Sequence, residues 1–151
     1  MPDAHTVALT LLAARELSEA QLRTRLVRRQ LDTDDINAAI AKLLKDGTLN
    51  DRRVALAAAR MESVIRHRGR ARVLHKVRQL GIDGSIAESA VSEIFAEVDE
   101  STLLDHALDR RLRGQSPRDL DERGRARILR SLAAQGFPFD AILKRLRPPS
   151  R

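Results

Sequence analysis

The segment G-R-A-R-V-L-H-K-V-R-Q-L-G-I, Gly69 to Ile82, returns as G-R-A-R-I-L-R-S-L-A-A-Q-G-F, Gly124 to Phe137. A shift of 55 residues superposes the two without a gap, repeating GRAR, a branched residue, Leu and a terminal Gly with a large apolar neighbour. Recurrence at this spacing marks a repeated structural unit, so the chain is constrained to a fold made of stacked copies. A weaker third copy, S-E-A-Q-L-R-T-R-L-V-R-R-Q-L, Ser18 to Leu31, lies 51 residues before the middle one. Leu22, Val73 and Ile128 then share a column and Leu26, Val77 and Leu132 the next. The two columns are four residues apart, which stacks them on one helix face and makes all six candidate core residues. Leu31, Ile82 and Phe137 coincide again past the turn.

Each copy runs on into a second apolar periodicity: Ile36, Ile40, Leu43 and Leu44; then Ile86, Ala90, Val91, Ile94 and Phe95; then Ile142, Leu143 and Leu146. Gly81 and Gly136 stand where a left-handed residue closes a helix, with Gln30 at that place in the first copy. A further helical segment precedes each pair, at about Val7 to Ala14, Asp51 to Ile65 and Asp99 to Arg113. Helix starts are expected after Ser18, at Thr33 and at Pro138. The pattern therefore predicts an all-α fold of three tandem three-helix repeats in an elongated, curved array: 1–47, 48–98 and 99–147, with 148–151 a frayed tail. The G-T-L-N-D turn, Gly47 to Asp51, separates the first two units, and the loop R-G-Q-S-P-R-D-L-D-E-R, Arg113 to Arg123, accounts for the second shift exceeding the first. This loop is expected to be mobile or to bend the array. Composition agrees with helix: Phe95, Phe137 and Phe139 are the only aromatic residues of the Phe, Trp and Tyr class, and Ala, Leu and Arg abound.

The net charge is +7, from 28 Lys and Arg against 21 Asp and Glu, and it is unevenly placed. Arg66 to Arg78 holds Arg66, Arg68, Arg70, Arg72, Lys76 and Arg78 and no acid, whereas Ser85 to Asp109 holds seven acids and no Lys or Arg. Arg68, Arg72 and Lys76 are four apart, along one side of the predicted helix. The third copy repeats the theme with Arg123, Arg125, Arg127 and Arg130, the first with Arg25, Arg28 and Arg29. Arg25, Arg29, Arg68, Arg70, Arg72, Lys76, Arg125, Arg127 and Arg130 are accordingly the candidate partner-binding residues. Two counter-charges fit them: the acidic segment within the chain, or an acid-lined or polyanionic partner. The reversals Arg72→Glu and Arg127→Glu are expected to leave helicity intact.

Major-groove readout by a helix-turn-helix is disfavoured, because the helices after the turn carry Asp34, Asp35, Glu88, Glu93 and Glu97. With neither Trp nor Tyr, nucleic-acid contact is expected to be weak, salt-sensitive and non-specific. Zero Cys removes thiolate chemistry. His5, His67, His75 and His106 form no ligand motif, and His67 and His75 are expected to face solvent. No phosphate-binding glycine motif occurs, and the pairs Asp34–Asp35 and Asp99–Glu100 fall at helix beginnings, where the dipole explains them. The expectation is a docking protein, not an enzyme, with no cofactor, metal or small-molecule substrate. No secretory signal or membrane span is recognised, so cytoplasm is the expected location.

The run around L-L-A-A-R-E-L-S-E-A-Q-L, with Arg15, Glu16, Ser18 and Leu22, resembles the Arg-Glu-x-Ser-x-x-x-Leu opening of the bacterial RecX family, regulators of the RecA recombinase. The family's Leu-Asp-Asp-x-Arg-Phe-Ala junction corresponds to Leu49, Asn50, Asp51, Arg53, Val54 and Ala55. Its closing Arg-Gly-Phe with a following Ile corresponds to Gln135, Gly136, Phe137 and Ile142. Departures are Gln30 and Leu31 for Gly-Phe, Val54 for Phe, and Arg68 and Gly69 for Tyr-Gly. The resemblance spans about Ala8 to Leu146. It implies a curved array of three-helix repeats that binds the groove of the RecA filament on DNA, inhibits ATP hydrolysis and strand exchange, and acts in recombination, DNA repair and the SOS response. The alternative from the residues alone is a non-specific nucleic-acid-binding helical module.

Overall fold

The computed structural model describes residues 2–147, all of whose regular structure is helical. The expected tail at 148–151 lies outside these residues. Among the described residues nine α-helices follow one another: α1 (Ala4–Ala14), α2 (Glu19–Arg28), α3 (Thr33–Lys45), α4 (Asp51–Arg60), α5 (Arg70–Arg78), α6 (Gly84–Glu97), α7 (Glu100–Leu112), α8 (Glu122–Ala134) and α9 (Phe139–Leu146). They gather around three apolar cores, one each for α1–α3, α4–α6 and α7–α9. Leu22 and Leu26 lie in the first, Val73 and Val77 in the second, and Ile128 and Leu132 in the third, all buried. The first core closes over Leu49, two residues beyond the expected boundary at 47. Phe95 and Val98 pack against both the second and third cores, so those two bundles share apolar contact.

Polar side chains define the helix ends. The Ser18 side chain accepts from the Gln21 amide, and Gln21 returns the bond to the Ser18 amide, a capping box that occupies two otherwise unpaired donors. Asp3, Asp32, Asn50, Asp83, Asp99 and Asp121 cap α1, α3, α4, α6, α7 and α8. Thr33, expected at the start of α3, is its first helical residue, and Asp32 supplies the cap. The first helix of the second bundle changes character before Ile65: Met61–Ile65 forms a π-helical turn. There Ser63 is buried with its hydroxyl donating to the Ala59 carbonyl at 2.7 Å, an extra partner for a backbone whose bonds have lengthened from i−4 to i−5. Two residues of the apolar periodicity, Leu44 and Leu143, are exposed, because each sits at the edge of its helix's buried stripe.

The repeated glycines are junction residues. At the first junction the Ser18 hydroxyl donates to the Leu80 carbonyl at 2.5 Å, and the Glu19 amide donates to Asp51 Oδ1 at 2.8 Å. At the second, 51 residues on, the Gly69 amide donates to the Gln135 carbonyl at 2.9 Å and the Arg70 amide to Glu100 Oε2 at 2.6 Å. In the first two bundles the N-terminus of the second helix thus docks on the next bundle's second turn and on the first carboxylate of its first helix. Close approach is the reason for glycine: a Cβ on Gly69 would lie 2.5 Å from the Gly136 carbonyl carbon, and one on Gly81 2.7 Å from Ala20 Cβ. Gln30, also left-handed at φ 59°, is exposed, and so a side chain is admitted there. The two GRAR segments are not equivalent in helix register: Gly69 caps α5, whereas α8 starts earlier, capped by Asp121, and takes Gly124 into its first turn. The loop before it forms a 3₁₀ turn, Pro117–Asp119, whose Pro117 carbonyl accepts from Arg125 Nη2 at 3.3 Å.

Candidate partner-binding cleft

The last turn of α7 presents Arg110 and Arg111, and Arg113 follows in the left-handed conformation at φ 51°, which ends the helix. Across from them α8 presents Arg127. Between lies a cleft of about 650 Å³, bordered by the loop through Asp119 and Asp121. A second depression of about 520 Å³ adjoins it, sharing Arg110 and Arg111 and extending to Ile65, Arg66, His67 and Arg68. The cleft lies within the third bundle and the depression between it and the second bundle, and together they make one guanidinium-lined seam.

Arg111 is held in place: its Nε donates to Ser131 Oγ at 2.7 Å and its Nη1 to the Ala107 carbonyl at 3.1 Å. Burial, with a smaller contribution from the charge of Arg110, lowers its pKa. Among the described residues, none of Arg110, Arg111, Arg113 and Arg127 forms an ion pair with a carboxylate. Asp119 and Asp121 line the cleft as well; Asp121 Oδ1 accepts from the Gly124 amide at 2.7 Å, while Glu62 accepts from Arg66 at 3.2 Å and Arg68 at 2.6 Å. His67, in a left-handed conformation, stacks on His106 with ring centroids 5.1 Å apart, tying the end of the π-helical turn to α7. The expectation that His67 faces solvent fails for this reason; its Nδ1 is buried with no hydrogen-bond partner among the described residues.

The nine candidate residues do not form one track. Arg68 precedes α5, so it does not share a helix side with Arg72 and Lys76; it bridges to Glu62 and lines the adjoining depression. Arg70 is exposed and donates to Ser92 Oγ at 2.8 Å. Arg72 is half-buried under Gly136 with its Nε unpartnered, so its reversal bears on the junction as well as on helicity. Lys76 is half-buried. Arg125 lies on the other side of α8 from Arg127, beside Leu129, Leu143 and Leu146, and Arg130 is exposed. Arg25 is half-buried in a groove at the first junction, and Arg29 is exposed at the end of α2. Arg127 thus lines the cleft and Arg68 the adjoining depression.

Sequence reasoning missed Arg110, Arg111 and Arg113. They follow directly on the acidic run that ends at Asp109, and that adjacency was the available signal. The acidic run itself is partly spent within the second bundle, on Arg52–Glu93, Arg60–Glu97 and Arg78–Glu88 pairs. No helix among the described residues is long and apolar enough to cross a membrane.

Three linked helical bundles with a cationic seam define a class of tandem-repeat α-helical proteins. Comparison with known proteins narrows it. The family description "RecX, first three-helix domain" matches residues 4–43. The regulatory protein RecX of Syntrophotalea carbinolica is 33% identical over 138 residues, covering 89% of this chain and 88% of that protein. RecX of Pseudomonas entomophila is 32% identical over 140 residues, covering 89% and 84%. The crystal structure of RecX from Lactobacillus salivarius superposes with a TM-score of 0.77 at 22% identity, covering 95% of this chain and 94% of that one. Another crystal structure of regulatory protein RecX gives the same TM-score at 20% identity over 95% of this chain and 69% of that one. The chain belongs to the RecX family of regulatory proteins.

Proposed function

We propose that this chain docks on the RecA recombinase filament assembled on DNA and modulates it, mainly by inhibiting ATP hydrolysis and strand exchange, in recombination, DNA repair and the SOS response within the cytoplasm. The observation that carries the reading is a guanidinium-lined seam, whose Arg110, Arg111, Arg113 and Arg127 form no ion pair among the described residues, on a chain of the RecX family. Cationic side chains held by a folded scaffold give a docking surface both attraction and register, and they speed encounter with an acidic partner. The second-turn helices supply no good alternative for base reading, since α3 and α6 expose Asp34, Asp35, Glu88 and Glu93.

The test is DNA-dependent ATP hydrolysis by the recombinase of the same organism. The protein is expected to suppress it at concentrations that leave free DNA unbound. An effect that appears and disappears only with free-DNA binding would replace this reading with that of a non-specific nucleic-acid-binding module, for which the net charge of +7 is the favouring observation.

A further inference from the structure

The π-helical turn that precedes α5 buries Glu62 and Ser63 and turns Met61, Val64 and Ile65 outward, 49%, 41% and 63% exposed. Three large apolar side chains on one turn form a continuous patch, of the kind that marks a contact surface. Ile65 is also a wall of the cationic seam, next to Arg66 and opposite Arg110 and Arg111. Charge and apolar surface are therefore contiguous at the junction of the second and third bundles.

Resting on the reading of the chain as a protein-docking regulator, we propose that this seam receives an acidic protein segment that carries an apolar residue. Its carboxylates meet Arg110, Arg111 and Arg127, and its apolar side chain covers Met61, Val64 and Ile65. Carboxylates match the guanidinium groups in geometry and charge, and the pinned Arg111 fork is already oriented by Ser131 and the Ala107 carbonyl. A nucleic-acid strand satisfies the arginines but leaves the apolar patch in water. It also finds no stacking platform, because none of Phe95, Phe137 and Phe139 lines the seam and the rings of His67 and His106 stack on each other. The patch thus selects protein over phosphate backbone.

Three exposed single substitutions test this: Ile65→Ser, Arg110→Glu and, as a control in the first bundle, Val27→Ser, whose side chain is 58% exposed. Affinity for the recombinase filament and for free single-stranded DNA is measured by fluorescence anisotropy, with circular dichroism to confirm folding. Ile65→Ser and Arg110→Glu are each expected to weaken filament binding about tenfold, whereas Val27→Ser leaves it unchanged. Rising salt should shrink the deficit of Arg110→Glu and not that of Ile65→Ser, since only the first is a screened charge effect. Free-DNA binding should be unaffected by Ile65→Ser. Filament affinity unchanged in Ile65→Ser overturns the proposal, as does a parallel loss of DNA and filament binding in both variants, which assigns the seam to nucleic acid. Failure of the parent protein to alter ATP hydrolysis overturns the docking reading as well, whereas an intact effect with insensitive variants overturns the seam alone.

Discussion

At the scale of single residues, the repeat is explained by contact distance. Gly136 is left-handed at φ 93°, and a Cβ there would strike the Arg72 backbone amide and lie 2.5 Å from Arg72 Cβ. Gly136→Ala is expected to cost about 2 to 4 kcal/mol in urea denaturation, combining left-handed strain with a backbone clash. Gln30→Gly, at the same place in the first bundle but with no preceding unit against it, should change stability by less than about 1 kcal/mol. Arg72 and Arg127 separate in the same way. Arg127→Glu should fold like the parent, since the side chain is exposed, whereas Arg72→Glu should lose helix on mild heating, because it places a carboxylate against the Gly136 turn. Circular dichroism melts of the two variants check this. The sequence alone could not separate the two arginines, because they occupy one column and differ only in whether another bundle follows.

At the scale of elements, the period of the apolar residues was enough to place the helices and to pick Leu22, Leu26, Val73, Val77, Ile128 and Leu132 for the cores. Leu132→Ala is expected to cost about 2 to 4 kcal/mol, as the side chain is fully enclosed by the third core. What the period could not show was the π-helical turn, since Met61–Ile65 continues an Ala-rich helical run with no break in the sequence. It could not show either that Asp51 and Glu100 accept amides from the preceding bundle, because a carboxylate at a helix start is already accounted for by the dipole. The short-range polar ends bear on pH. A hydrogen bond from the Thr6 amide lowers the pKa of Asp3, bonds from Thr48 lower that of Asp46, and bonds from Ser85 lower that of Asp83. With folded values below the unfolded one, the stabilisation from these carboxylates is complete above about pH 4 and is lost as pH falls through the lowered values. Asp83→Asn should therefore reduce the acid sensitivity of the melting temperature between pH 5 and 3, by order of magnitude of a single exposed cap.

At the scale of the whole molecule, the bundles depend on one another unequally. The first core shares no residue with the second, and their junction is made by Ser18, Glu19, Arg53 and their polar partners. The second and third share Phe95 and Val98. A fragment Met1–Gly47, which also lacks the buried Leu49, should show no cooperative thermal transition, whereas Asn50–Arg147 should keep one; calorimetry distinguishes them. The tripartite plan was legible in the sequence because each unit repeats the same two columns. The seam was not, because it joins the end of α7, one face of α8 and the outer side of the π-helical turn, three places that no local charge count associates. Folding pairs the acids of α6 with α4 and α5 and Asp105 with Arg145 of α9, which leaves Arg110 and Arg111 in no ion pair among the described residues.

The most direct measurement is amide hydrogen exchange of the full chain, free and bound to the recombinase filament on single-stranded DNA. Binding through the seam predicts added protection in 61–68, 106–113 and 122–131, with α1 and α3 unchanged. Protection confined to α1–α3, or spread along the exposed faces of α5 and α2 with the seam unaltered, would contradict it.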